Sequence, residues 1–139
     1  MMARAPASGG IQAAHAVPRH VAPERFQTYA YAELAACPPW DTGLCFNPAC
    51  GARFQPARDW QIYCCPACER AGTAEMRAWG HRMALPLLVW RLGKYERSDA
   101  ALRDLSRAAR RHVGLVQSAW LADRAARAAQ ALAEGSHGI

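Results

Sequence analysis

Apolar and polar positions follow three different rhythms along this chain, and each rhythm predicts a different kind of structure. Residues 1–24 are rich in Ala, Gly, Pro, Ser and His and show no periodicity. Such a stretch cannot bury enough apolar surface to offset the entropy of ordering, which predicts a disordered tail. Phe26, Tyr29, Tyr31 and Leu34 then suggest a short helix over 26–36, stopped by Cys37-Pro38-Pro39. Arg53-Phe54 and Trp60-Gln61-Ile62-Tyr63 read as two short strands, joined by the turn-forming Pro56-Ala57-Arg58-Asp59.

From Pro66 the rhythm becomes helical. Proline suits a first helical turn, and good helix formers follow to about Leu85. Pro86 is expected to end or kink this helix, leaving a second short one over 87–92 with Gly93 as its C-cap. Ser98 is placed to cap the last helix, with Asp99 favourable in its first turn. In that helix Leu102, Leu105, Ala109, Val113, Val116 and Trp120 recur at threes and fours as far as about Ala133. The expected organisation is a tail over 1–24, a module over 25–85 and a helical region over 86–134.

Composition sharpens this picture. Of 139 residues, 52% are hydrophobic, but alanine supplies much of that share, so the aliphatic and aromatic core is modest. A small core calls for a staple, and a metal is one of the few available. Six cysteines without an export signal read as thiols or metal ligands rather than disulfides, in a cytoplasmic protein. No apolar run is long enough to span a membrane, and the acid-poor N-terminus gives only a faint echo of a transit peptide. The net charge of +6 comes almost entirely from Arg, whose planar fork matches phosphate and carboxylate.

The cysteines are spaced Cys45-x4-Cys50, thirteen residues, then Cys64-x3-Cys68. Zn²⁺ takes four such ligands at tetrahedral corners, with sulfur about 2.3 Å away. A turn through Asn47-Pro48 with Gly51 behind it would supply one pair, and the first turn of the helix would supply Cys68. Cys65 is the alternative to Cys64 as third ligand. With all four corners filled by sulfur, no position is left for a water, which predicts a structural Zn²⁺ site and no enzyme. Three other readings of these cysteines carry less weight. Buried thiols alone would not need this spacing. Cys65-Pro66-Ala67-Cys68 has the form of a redox pair but lacks a βαβ frame, and a zinc deaminase would need a His-x-Glu partner. Cys37 reads as a free thiol, and His81 lies too far along the helix from Cys68 to reach the metal. His112 reads as a packed core histidine. His15, His20 and His137 fall in flexible ends.

The stretch Cys45-Phe46-Asn47-Pro48-Ala49-Cys50-Gly51-Ala52-Arg53-Phe54, followed by Tyr63-Cys64-Cys65-Pro66-Ala67-Cys68-Glu69-Arg70, resembles a treble-clef zinc finger. It is similar to MYM-type fingers and to the short fingers of small bacterial and phage proteins, including the small zinc protein that inhibits DNA gyrase. The resemblance covers about 40 of the 139 residues. Cys65 stands where the pattern has Ser, and Glu69 where it usually has a basic residue. The resemblance implies a small α-rich protein: a short β-hairpin plus helix around Zn²⁺, followed by two α-helices, one long. It also implies a regulatory nucleic-acid-binding protein of phage or prophage kind.

Arg103, Arg107, Arg110 and Arg111 lie along one side of the long helix, and Arg53 and Arg58 belong to the finger. These six are the candidate phosphate contacts, weighed against an ordinary solvated helix face. Arg124 and Arg127 extend the basic character. Trp60 and Tyr63 would stack on bases or, more simply, cover the small core beside the metal. The competing class is a protein-interaction adaptor, or an inhibitor of a larger nucleic-acid enzyme. Its partner, or a second copy, would cover the apolar face of the long helix.

Overall fold

The computed structural model describes residues 24–135. The tail expected over 1–24 lies almost wholly outside them, as do His15, His20 and His137. The chain divides into two compact units, Met1–Pro38 and Pro39–Ile139. In the first, α1 (Phe26–Tyr29) and α2 (Tyr31–Ala36) replace the single short helix read from sequence. Ala30 sits between them at φ −103° and ψ 29°, off the helical path.

The second unit opens with a loop over 39–65 and continues into two long helices, α3 (Pro66–Gly93) and α4 (Ala100–Gly135). The expected strands do not form: the described residues contain no sheet, only one antiparallel bridge between Leu44 and Arg53. Trp60 takes a left-handed φ of 60°, which interrupts an extended run at its first residue. Gln61 then satisfies the loop locally, accepting from the Ala57 N–H and donating to the Tyr63 carbonyl. The Tyr63 carbonyl, which a strand partner would have bound, is thus met by a side chain within the loop.

Pro86 neither ends nor splits its helix; α3 runs through it without a break. An internal proline costs about 3 kcal/mol through a lost hydrogen bond and a steric clash. Strong helix formers on both sides of Pro86 and packing along the helix's length offset that cost. Contacts pair Glu75 with Arg124, Trp79 with Trp120 and Trp90 with Ser106, so α3 and α4 are antiparallel. The Trp79 and Trp120 rings stack with centroids 5.9 Å apart. The buried residues along the helix pair are small or slender: Met83 and Gly93 on α3, and Ser106, Ala109 and Val113 on α4, while Gly72 is buried under Tyr63 of the loop.

Gly93 does not cap α3 through a left-handed turn, since Lys94 after it is still right-handed helical. It is needed for close approach: a Cβ there would stand 2.7 Å from Ser106 Cβ and 2.8 Å from the Leu102 carbonyl oxygen. The N-cap of α4 is Asp99, whose Oδ1 accepts the Leu102 N–H, while Ser98 binds Glu96 instead. His112 is exposed, not a core residue. Leu105, expected in the apolar stripe, is also largely exposed.

Candidate metal centre

Asn47 builds the turn that holds the first two cysteines. Its carbonyl accepts the N–H groups of Cys50 and Gly51, its Oδ1 accepts that of Ala49, and Gly51 takes φ 60°. That φ favours glycine because a Cβ would meet the backbone. The Cys45 N–H donates to the Ala52 carbonyl and the Phe46 N–H to the Ile62 carbonyl. These bonds bring the return of the loop beside the turn. Cys65 is the N-cap of α3 and Pro66 its first residue, so Cys64 ends the loop and Cys68 opens the helix.

The sulfurs of Cys45, Cys50, Cys64 and Cys68 all lie within 4.8 Å of one another. Cys50 Sγ and Cys68 Sγ each stand 3.8 Å from Cys64 Sγ. A tetrahedron with sulfur at about 2.3 Å has edges of about 3.8 Å, so the set fits a four-coordinate ion of zinc's size. Cys65 is exposed and is not a member of the group, and Cys37 is an exposed thiol. His81 is likewise outside it. Four cysteines can therefore hold one metal ion at the mouth of α3.

Polar donors already face this sulfur cluster. Asn47 Nδ2 lies 3.4 Å from Cys68 Sγ, and the Cys64 N–H lies 3.4 Å from Cys45 Sγ. Burial works against ionising Cys45, but donation from the Cys64 and Asn47 backbone outweighs it and pulls its pKa down. At Cys68 the Asn47 amide and the Cys64 thiol favour the thiolate, yet burial with the Cys65 and Cys45 sulfurs prevails and the thiol is pushed up to about 11. Burial, then hydrogen bonding to the other cysteines, raises Cys64 as well. A cation placed among these sulfurs would reverse that penalty, because each thiolate would face positive charge instead of another sulfur.

The loop is clasped from behind by α4. Arg124 Nη2 donates to the Phe46 carbonyl at 2.6 Å, and its guanidinium lies 4.0 Å from the Phe46 ring centroid. Arg124 Nη1 donates to Glu75 Oε1 at 2.6 Å, and Trp120 Nε1 donates to the same oxygen at 2.7 Å. Arg127 Nη2 stands 3.0 Å from that oxygen, close enough to pair but not aligned as a hydrogen bond, while its Nε reaches Asp123. Glu75 is only 7% exposed in its side chain and Arg124 only 18%. Burial tends to raise the Glu75 pKa; the donors Trp120 and Arg124, with the nearby Arg127 cation, outweigh it and hold the carboxylate below its ordinary range. Tyr63 closes the remaining side, edge-on to Phe46 and so close over Gly72 that its ring fills the place of a Cβ. That is the core-covering role considered for it in the sequence.

Arg124 and Arg127 are thus structural ion-pair partners, not free basic surface. The sequence does carry a signal for this cluster. Glu75 falls in phase with Cys68, Gly72 and Trp79, and Arg124 and Arg127 continue the stripe of Val113, Val116 and Trp120. Charges that interrupt an apolar stripe in register, one acidic and two basic, point to each other.

The six candidate phosphate-binding arginines are distributed over two places. Arg53 and Arg58 are exposed on the loop, with loose pairs to Asp41 at 3.5 Å and Glu69 at 3.9 Å. Arg107, Arg110 and Arg111 line one open surface depression on α4, and Arg103 joins Arg107 and Arg110 in a second, more enclosed cleft. Among the described residues no helix is long and apolar enough to cross a membrane. No family model, curated protein or solved structure matches the chain.

Proposed function

We propose a non-enzymatic binding protein, organised by one structural Zn²⁺ and taking nucleic acid along the basic side of α4. The carrying observation is the closed set of four sulfurs. Zinc accepts an all-thiolate tetrahedron, has no redox chemistry of its own, and activates a water only where a corner is left open. Arg103, Arg107, Arg110 and Arg111 support the second half of the reading, because they gather on one helix where phosphates could neutralise them. A regulatory role and a phage or prophage origin rest on the resemblance alone.

One zinc per chain should be found by elemental analysis of freshly purified protein. Affinity for a short oligonucleotide should fall steeply between about 50 and 200 mM salt. Metal-free protein that keeps its loop fold would remove the first half of the reading. Failure to bind any oligonucleotide at low salt would remove the second.

One observation favours a protein partner instead. Leu85, Leu88 and Leu92 share one face of α3 and are 69%, 59% and 67% exposed, with Tyr95 just beyond at 70%. The apolar face available to an adaptor's partner, or to a second copy, therefore includes α3 as well as the exposed leucines of α4. Under this reading the protein captures a partner whether or not nuclease has been added, and oligonucleotides do not compete.

A further inference from the structure

The turn that joins α3 to α4 leaves a cleft of about 280 Å³. Trp90, Gly93 and Lys94 line it from one helix end, and Arg103, Ser106, Arg107 and Arg110 from the other. Four cations line it and no acid does. Their charges are met mainly by neutral groups. Arg103 Nη1 donates to the Arg97 carbonyl at 2.7 Å, and Lys94 Nζ and Arg110 Cζ lie 5.5 and 5.7 Å from the Trp90 ring centroid. Arg107 has only a solvent-exposed pair with Asp104 at 3.8 Å. The nearby Glu96 carboxylate is already taken, accepting from the Ser98 N–H and hydroxyl and from the Asp99 N–H.

The floor of the cleft is fixed. Ser106 is buried and its hydroxyl donates to the Trp90 carbonyl at 2.7 Å, while Gly93 lets the helices approach to the limit that a Cβ would violate. Helix ends held this closely keep four cations together, with the loose, solvent-exposed pair of Arg107 and Asp104 as their one ion pair among the described residues. Such an arrangement is costly in self-repulsion unless an anion joins it. Arginine forks pair bidentately with phosphate as with carboxylate, but only a multiply charged phosphate has oxygens enough for several cations at once, and a flanking lysine adds a point charge.

We propose that this cleft is a phosphate-binding site and the anchor point of the nucleic-acid-binding side of α4. Its second half rests on the nucleic-acid reading above; the phosphate chemistry does not. The site is separate from the metal centre, because the helical rise between Cys68 and Gly93 is about 37 Å.

The test uses the full-length, zinc-loaded chain and two probes: inorganic pyrophosphate by calorimetry, and a fluorescent oligonucleotide by anisotropy at two salt concentrations. The cleft variant Arg103→Gln/Arg107→Gln is compared with Arg53→Gln/Arg58→Gln, which removes the same charge elsewhere. Circular dichroism checks that both fold, and the single variant Lys94→Gln, on the turn, stands in if the double variant does not. The cleft variant should lose pyrophosphate binding, weaken the oligonucleotide about tenfold, and flatten the salt slope by about two. The loop variant should keep pyrophosphate and lose less oligonucleotide affinity. Equal losses in both variants would overturn the cleft as anchor while leaving nucleic-acid binding intact. Pyrophosphate bound in the cleft with no oligonucleotide bound would uphold the phosphate site and overturn its use for nucleic acid. Silence from both probes would overturn both.

Discussion

The loop over 39–65 and the antiparallel pair α3–α4 belong to one compact unit, yet they are held by opposite means. The helices satisfy their own backbones and need only a seam of small side chains to lie together. The loop has no ladder; its hydrogen bonds are local, many of them centred on Asn47 and Gln61, beside four sulfurs that can hold a metal ion. The clasp of Glu75, Trp120, Arg124 and Phe46 is where the two regimes meet. The comparison teaches that a metal held by the four cysteines would support the loop directly and the helices only through that clasp.

Removing the metal should give the largest effect. Structural zinc supplies roughly 10–16 kcal/mol of apparent binding free energy in finger peptides. Strong chelation, or Cys45→Ser or Cys68→Ser, should collapse protection of the loop amides from hydrogen exchange while most of the helical circular dichroism remains. Parallel loss of both signals would mean that the two regions do not differ as described. Acidification should release the ion too. Cys64 and Cys68 titrate high without metal, so protons compete with it for these two sulfurs, and affinity should fall steadily as pH drops.

Breaking the clasp comes next. Glu75→Ala leaves Arg124 and Arg127 facing each other in a part-buried site, at about 3–5 kcal/mol by chemical denaturation. The Glu75 carboxylate titrates below its unfolded value, so its contribution is complete above the ordinary carboxylate range and is lost as pH falls through the lowered folded value. An acid-stability profile in which wild type and Glu75→Gln converge at low pH would agree; parallel profiles would contradict it.

Gly93→Ala should cost about 1–3 kcal/mol, because the new methyl meets Ser106 and the Leu102 carbonyl rather than open space. Gly80→Ala, with nothing within 4 Å of its Cβ, serves as the control and should be neutral or stabilising. The smallest change is Asp99→Ala, which removes the cap on the Leu102 N–H for about 1 kcal/mol in thermal melts.

Much of the candidate site was legible before any coordinates. Thiol chemistry and spacing are local properties, and Cys45, Cys50, Cys64 and Cys68 do come together. The start of α3 at Pro66 and the long span of α4 were also readable, because proline at a first turn and apolar positions at threes and fours act within one element. The β-hairpin of a treble clef was not there to be found. Alternating apolar residues at Trp60–Tyr63 mark a segment that can extend, but Trp60's left-handed backbone and Gln61's two hydrogen bonds settle it as a loop. Pro86 misled for a related reason: its local penalty is real, but it is outweighed by contacts with α4 that no window of sequence around it contains.

The sequence by itself determined that this chain carries four spaced thiols ahead of a helix, a long amphipathic helix behind it, and a surplus of arginine. Only the tertiary structure decided which arginines are spent and which remain available. Arg124 and Arg127 are drawn to the buried carboxylate of Glu75 on the other helix, while Arg103, Arg107 and Arg110 gather at a cleft. The physical reason is that a charge's role depends on what desolvates it and what faces it, and both are set by the packing of α4 against α3.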